Sequence, residues 1–388
     1  MSDTKQSINS RSDSGIADLP DLQDWLALNR IKGFGPKRIL ALLEKFESPK
    51  QVFNAPAAEL KHAGLTSTAV NQIKNADHQL EEDMGWLDAH SRHHIITLHD
   101  YRYPSLLKEL NDPPILLYVN GDPELLTKPQ LSIVGSRSAT PGGLQIAREF
   151  AQSLSSAGLA VTSGLALGVD AAAHEGALVA YGKTIAVLGT GPDRIYPARH
   201  LKLAEQIVET GTIVSEFVPG TTPRKENFPR RNRVISGLSL GTLVVEAAKQ
   251  SGSLITARFA LEQGKEVFAI PGSIRNPQTK GCHALIREGA KLVESVEDII
   301  EDLGPLYGAS ISDQTVTQAN APSIPKDDLT LQGDQKRLME GLGYDPISVD
   351  EIVGQTGLTA SNVSSILLAL EIEGYVESQP GGRYTRKY

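Results

Sequence analysis

Across 388 residues the chain has one cysteine, Cys282, so it cannot build an intramolecular disulfide framework. That usage fits a reducing compartment. No stretch approaches the ~20 apolar residues that a membrane helix needs. The opening MSDTKQSINSRSDSG has no apolar core and does not read as a signal peptide. A cytoplasmic protein with no membrane partner is expected. Positive charge is not in surplus: the formal net charge is -8, which argues against a general polyanion coat. A local basic patch stays open, because screening makes the placement of charge matter more than its sum. The phosphate-loop signatures G-x-G-x-x-G and G-x-x-x-x-G-K-[ST] are both missing, which excludes the usual dinucleotide or ATP site. No internal repeat is found, and no cofactor or metal is expected.

What is present reads as three parts between polar connectors. Residues 1–19 are Ser-, Asp- and Asn-rich and predict a disordered tail. Residues 20–90 carry apolar positions at three- and four-residue spacing. Gly33-Phe34-Gly35-Pro36 interrupts them, a tight turn with Pro36 suited to a first helical turn. A helical domain of the SAM or helix-hairpin-helix kind is expected there. From 95 to 302 short apolar runs alternate with amphipathic segments: LSIVGSR, LAVTSGL, KTIAVLG, TIVSEF, LGTLVVEA and EVFAIPG. That alternation predicts an α/β domain, an extended Rossmann-like, doubly wound, mostly parallel sheet. Residues 303–333 are Ser-, Thr-, Ala- and Pro-rich and predict a linker. Residues 334–388 read as helices followed by a hairpin with a Gly-Gly turn, a winged helix in outline.

One stretch stands out against the acidic background. PRKENFPRRNR, Pro223–Arg233, gathers Arg224, Lys225, Arg230, Arg231 and Arg233 around Phe228 with one acid, Glu226. Ligands of open α/β sheets sit beyond the carboxyl ends of the strands, where the strand order switches. Counted from residue 131, the Rossmann order places strand one beside strand four. That order brings the loop Gly135-Ser136-Arg137 toward Lys225 and Phe228, with Ser163-Gly164 after strand two nearby. Cations to hold phosphates and one ring to stack a base describe a groove for single-stranded nucleic acid. The bland alternative is a solvated loop with Phe228 in the core.

The chain resembles the DNA-processing protein A (DprA, or Smf) family of bacterial natural transformation. The matching stretches are VGSRSATPGG, VTSGLALGVDAAAHEGAL, FPRRNRVISGLS, VVEAAKQSGSLITARFALEQGKEVFAIPG and KGCHALIREGA, in order over about 131–290. The resemblance implies a non-catalytic protein that binds single-stranded DNA, self-associates and loads a RecA-type recombinase. Single-strand-binding protein is a further partner it suggests. It implies that Arg137, Lys225 and Phe228 line the DNA pocket, with Arg231 and Asn232. Gly135, Ser136, Ser163, Gly164 and Ser253 would add backbone or hydroxyl contacts. It places a homodimer surface around His283 to Leu292.

Other features have plainer readings. Asp170 and His174 stand four apart, on one helix face. They are read as a helix cap and a buried, satisfied histidine rather than a metal pair, since no third ligand lies near in sequence. His93, His94 and His99 lack ligand spacing and read as solvated. Glu246 is read as a carboxylate that orders the cations. The recognition position of the winged helix, TASNVSSILLALEIEGYV, has Asn362 but no Lys or Arg, which suits a protein contact better than a duplex. The rival function is a nucleotide-processing enzyme of the phosphoribohydrolase kind. Its P-G-G-x-G-T-x-x-E signature is replaced here by KQSGSLITAR, with Ile255, Thr256 and Ala257 where the acid is needed.

Overall fold

The computed structural model describes residues 22–76, 80–308, 333–343, 346–379 and 381–386. The expected tail at 1–19 and most of the expected linker lie outside them. The chain divides into two compact units.

The first unit opens on six helices, Leu22–Arg30, Pro36–Phe46, Pro49–Asn54, Ala57–His62, Ser67–Lys74 and Glu81–Ala89. Gly33 takes a left-handed φ of 80°, and the next helix starts on Pro36, whose missing N–H is no loss in a first turn. Ser48 and Thr66 cap the third and fifth helices, each side chain accepting from a backbone N–H at 3.3 Å. Trp25, Leu28, Ile39, Leu42, Val52, Leu60 and Ile73 fill the interior between them.

These helices pack on the sheet through a polar pin in an apolar setting. The Tyr118 hydroxyl donates to Asp83 Oδ1 at 2.5 Å, and Arg30 Nε donates to Asp83 Oδ2 at 2.5 Å. Trp86 lies against Tyr118 edge-on and stacks on His93 with centroids 4.2 Å apart. His99 meets the Trp25 ring at 5.0 Å. His93 and His99 therefore serve packing and are not simply solvated. Removing the hydroxyl in Tyr118→Phe leaves one oxygen of a fully buried carboxylate short of a donor. A loss of roughly 1.5–3 kcal/mol is expected from urea unfolding, the range for hydrogen bonds to charged groups.

The sheet has nine strands: β1 (His93–Thr97), β2 (Leu116–Gly121), β3 (Gln130–Val134), β4 (Ala160–Ser163), β5 (Thr184–Val187), β6 (Thr212–Ser215), β7 (Gly241–Val244), β8 (Glu266–Ala269) and β9 (Lys291–Leu292). Their order is β1-β2-β6-β5-β4-β3-β7-β8-β9. β2 runs antiparallel to both neighbours, and every other pair is parallel. A mostly parallel sheet was expected, but not this order. The strand at 131, β3, lies beside β4 and β7, and β6 lies three places away from it. The chain adds β4, β5 and β6 on one side before crossing back, one strand more than the usual Rossmann half. The switch point is therefore the β3–β7 boundary.

The second unit holds the helices Asp334–Gly341, Val349–Thr356 and Ala360–Ile372. Its three-stranded sheet is formed by β10 (Ile347–Ser348), β11 (Val376–Gln379) and β12 (Arg383–Arg386), in the order β10-β12-β11. Ser348 and Glu351 form a reciprocal capping box, and Gly357 ends that helix in the left-handed region. Gly381 and Gly382 both have positive φ in the hairpin turn, as the expected winged helix requires. Leu338, Ile352, Val363, Leu367 and Val376 make its core. Leu368 and Ile372 are exposed on the last helix.

Candidate nucleic-acid interface

A cleft of about 720 Å³ opens at the β3–β7 boundary. Gly135, Ser136 and Arg137 follow β3 and form one side of it, and Gln250, Ser251 and Ser253 follow β7 and form another. The Ser136 N–H donates to the Glu246 carbonyl at 2.6 Å, clipping the two loops together. A Cβ on Gly135 would stand 2.6 Å from Val169 Cγ2 and 2.9 Å from that same carbonyl. Only glycine lets the backbone pass there.

The third side is the helix Asn227–Leu238, which connects β6 to β7 and packs over β3, β4 and β5. The basic stretch is thus half loop and half helix. Helical spacing sorts its residues, since positions three and four apart share a face. Phe228, Arg231, Asn232 and Ile235 line the cleft. Arg230 and Arg233 reach instead to Glu216, with Nη2 to Oε2 distances of 3.1 and 2.5 Å. Arg233 also donates to the Asp112 carbonyl at 2.6 Å. Glu216 is therefore the carboxylate that orders cations in this stretch. Glu246 accepts from Asn276 at 3.5 Å.

Arg231 lines the cleft but is only 4% exposed. Its Nη1 donates to the Gly164 carbonyl at 2.6 Å and to that of Val187, joining the ends of β4 and β5. Burial lowers its pKa to about 10, against the opposing pull of Asp170, so it remains a cation at neutral pH. Burial likewise raises Asp170, whose Oδ2 accepts from the N–H groups of Gly164 and Ala166 at 3.2 and 3.3 Å. Asp170 thus holds the preceding loop rather than capping its own helix. His174 donates or accepts through Nδ1 with Thr184 Oγ1 at 2.6 Å, while its Nε2 is buried without a partner. It is half satisfied, and burial pushes its pKa down to about 3, so it is neutral.

The exposed part of the cleft is aromatic and cationic. Phe228 is half-buried, and a Cβ on Gly189 would come within 2.8 Å of its Cδ1. The Arg137 guanidinium stands 5.5 Å from the ring centroid. Arg137 and Lys225 are themselves exposed. Asn232 bridges two sides of the cleft, accepting from Arg231 Nε at 3.2 Å and donating to the Gly252 carbonyl at 3.3 Å. Ser253 pairs its hydroxyl with that of Ser251 at 2.7 Å, at the start of the helix Ser253–Glu262.

Of the residues singled out from sequence, Gly135, Ser136, Arg137, Lys225, Phe228, Arg231, Asn232 and Ser253 share this cleft. Ser163 and Gly164 do not line it. The Ser163 hydroxyl is fully buried and donates to the Ile133 carbonyl at 2.6 Å, and Gly164 lies under the Arg231 guanidinium. His283 lies in the helix Lys280–Arg287 and bonds the Gly272 carbonyl, while Leu292 is exposed on the edge strand β9. Tyr196 also lines the cleft, beside Phe228, and no motif in the sequence marks it. It sits in the connection after β5, where no periodicity marks a residue. Among the described residues lining the cleft, Asp170 is the sole carboxylate, and Ile255 and Thr256 stand where the rival enzyme signature needs its acid.

Family comparison agrees with this architecture. Residues 94–304 match the model of DNA recombination-mediator protein A, and residues 320–382 match that of the DprA winged helix domain. Protein Smf of Escherichia coli is 40% identical over 84% of this chain and 86% of its own length. Protein Smf of Synechocystis is 36% identical over 94% of this chain and 98% of its own. The crystal structure of DNA processing protein A from Streptococcus pneumoniae superposes with a TM-score of 0.64 at 37% identity, covering 72% of this chain and 97% of that one. Described residues include no helix long and apolar enough to cross a membrane. With a matching domain model over more than half its length and relatives this similar end to end, the chain belongs to the DNA recombination-mediator protein A family.

Proposed function

We propose that the cleft binds single-stranded DNA and that the protein does no covalent chemistry on it. The observation that supports this best is the half-exposed Phe228 ring, with the exposed cation Arg137 against it and Lys225 on the same cleft. Cations take phosphates, and a free ring takes a base face that a duplex keeps stacked. Arg231 preorganises the cleft from below, tying β4 to β5 rather than following the strand. The protein then passes its strand to a RecA-type recombinase. It self-associates through the surface that holds His283 and Leu292, which turns modest contacts into avidity.

Fluorescence anisotropy tests this with labelled oligo-dT and a duplex of the same length across a salt series. Tighter binding of the single strand, weakening steadily with salt, is expected. Equal affinity for the duplex would remove the stacking role. Recombinase loading is tested by strand exchange on DNA precoated with single-strand-binding protein, with and without this chain. Release of free base from nucleoside monophosphates would instead support the enzyme reading.

The packing of Phe228 gives a separate prediction. Gly189→Ala forces a methyl against the ring edge, where overpacking costs ~1–3 kcal/mol. A tilted ring is expected to weaken oligo-dT binding about tenfold while leaving the salt slope unchanged, read by the same titration.

A further inference from the structure

We infer that Tyr196 is a second stacking surface of this cleft, taking the base next to the one on Phe228. The inference rests on the single-strand reading given above. Tyr196 is 46% exposed, a large ring left open on the cleft rather than folded into the core. Its centroid lies 5.7 Å from that of Phe228, with the ring planes at 44°.

That geometry decides what the two rings can do. A base held between two rings needs them parallel and ~7 Å apart, twice the ~3.4 Å spacing of stacked bases. At 5.7 Å and 44° there is no such slot. The rings form a bent platform, and one planar base can lie flat on only one of them. Two rings then serve two nucleotides, with the backbone turning between them. Phe228 has Arg137 against its ring as well, so a phosphate can be neutralised beside the first base. A strand bound this way is unstacked at that step, which single strands allow and duplexes resist.

The test titrates wild type, Tyr196→Ala and Tyr196→Phe with labelled oligo-dT. Each titration is repeated with a strand of equal length made of abasic spacers. Tyr196→Ala is expected to weaken oligo-dT binding by roughly five- to a hundred-fold, the range seen for a lost stacked base. Tyr196→Phe should stay within about twofold. All three proteins should bind the abasic strand alike. In a Phe228→Ala background the Tyr196→Ala loss should persist, because the rings serve different bases. A ring that merely props Phe228 would add nothing there, and that result overturns the assignment. So does an unchanged oligo-dT affinity in Tyr196→Ala, an equal loss on the abasic strand, or a Tyr196→Phe as weak as the alanine. Lys225→Ala separates the two claims. If it weakens both strands while Tyr196→Ala weakens neither, the cleft stands and the Tyr196 role falls. If wild type binds no strand at all, the single-strand reading itself fails.

Discussion

Lys225→Ala should bind oligo-dT about fivefold more weakly than wild type at about 0.1 M salt, with a log–log salt slope shallower by about 0.7. Both effects follow from where the charge sits. Five cations crowd Pro223–Arg233, but the fold occupies three of them. Arg233 and Arg230 are paired with Glu216, and Arg231 is bonded to backbone carbonyls. Lys225 and Arg137 are both exposed on the cleft, and Asp170, the carboxylate among the described residues lining it, is buried and accepts from the Gly164 and Ala166 N–H groups. A phosphate arriving there meets charge that need not break an existing pair. Arg137→Ala should lose at least as much, because it removes a cation and a neighbour of the Phe228 ring together. Neither substitution opens the core, so unfolding free energy should move by no more than ~0.5 kcal/mol. An unchanged salt slope in Lys225→Ala would remove it from the phosphate path. Arg230→Ala is the matched control: it removes the same charge from the same stretch but on the other helix face. Its affinity should change by less than about threefold.

Glu216→Ala should be the most damaging single change to stability near the site, about 3 kcal/mol or somewhat more by urea unfolding of the full chain. The Glu216 and Arg233 side chains are 2% and 5% exposed and meet at 2.5 Å. Deleting the carboxylate leaves a buried guanidinium without its main anion, and that uncompensated charge carries most of the cost. Arg233 keeps the Asp112 carbonyl at 2.6 Å and the Asp112 carboxylate at 3.6 Å, which holds the expected loss toward the low end. Removing the exposed partner in Arg230→Ala should cost under ~1 kcal/mol, since that side chain is 47% exposed and solvent screens the pair. Comparable losses in the two variants would mean that Glu216 is anchored by something other than Arg233. Glu216→Ala should also weaken the strand complex, because the helix that carries Phe228 starts eleven residues further on and is held through the same pair.

Much of this was readable in the chain before any coordinates. Short runs rich in Val, Ile, Leu and Ala marked β3 to β8, and all their residues but Glu266 are buried, because a parallel sheet covered by helices leaves no solvent face to alternate with. Glycine composition marked the turns at Gly33 and at Gly381-Gly382, and the structure gives these three residues the positive φ that other residues resist. The basic stretch was visible as composition. Its partition was not: whether Arg230 or Lys225 lines the cleft depends on the helix starting at Asn227, and a proline at its third position reads more readily as loop.

Strand order lay further out of reach. The short buried strands carry no local mark of their neighbours, so nothing local says that three strands are added before the chain crosses back. The Rossmann order put β3 beside β6, whereas the structure puts it beside β7. Phe228 reaches the end of β3 all the same, carried by the crossover helix rather than by strand adjacency. Tyr196 was out of reach for a related reason, being a loop residue over thirty positions from Phe228 that becomes its neighbour only by folding. The sequence by itself determined which elements form, where the turns fall and which residues could carry charge or stack. These are properties of neighbours along the chain, set by backbone sterics and side-chain period. Tertiary structure alone decided which cations are occupied by Glu216 and by carbonyls and which stay open to a ligand, because pairing across the fold depends on distances that no local pattern encodes.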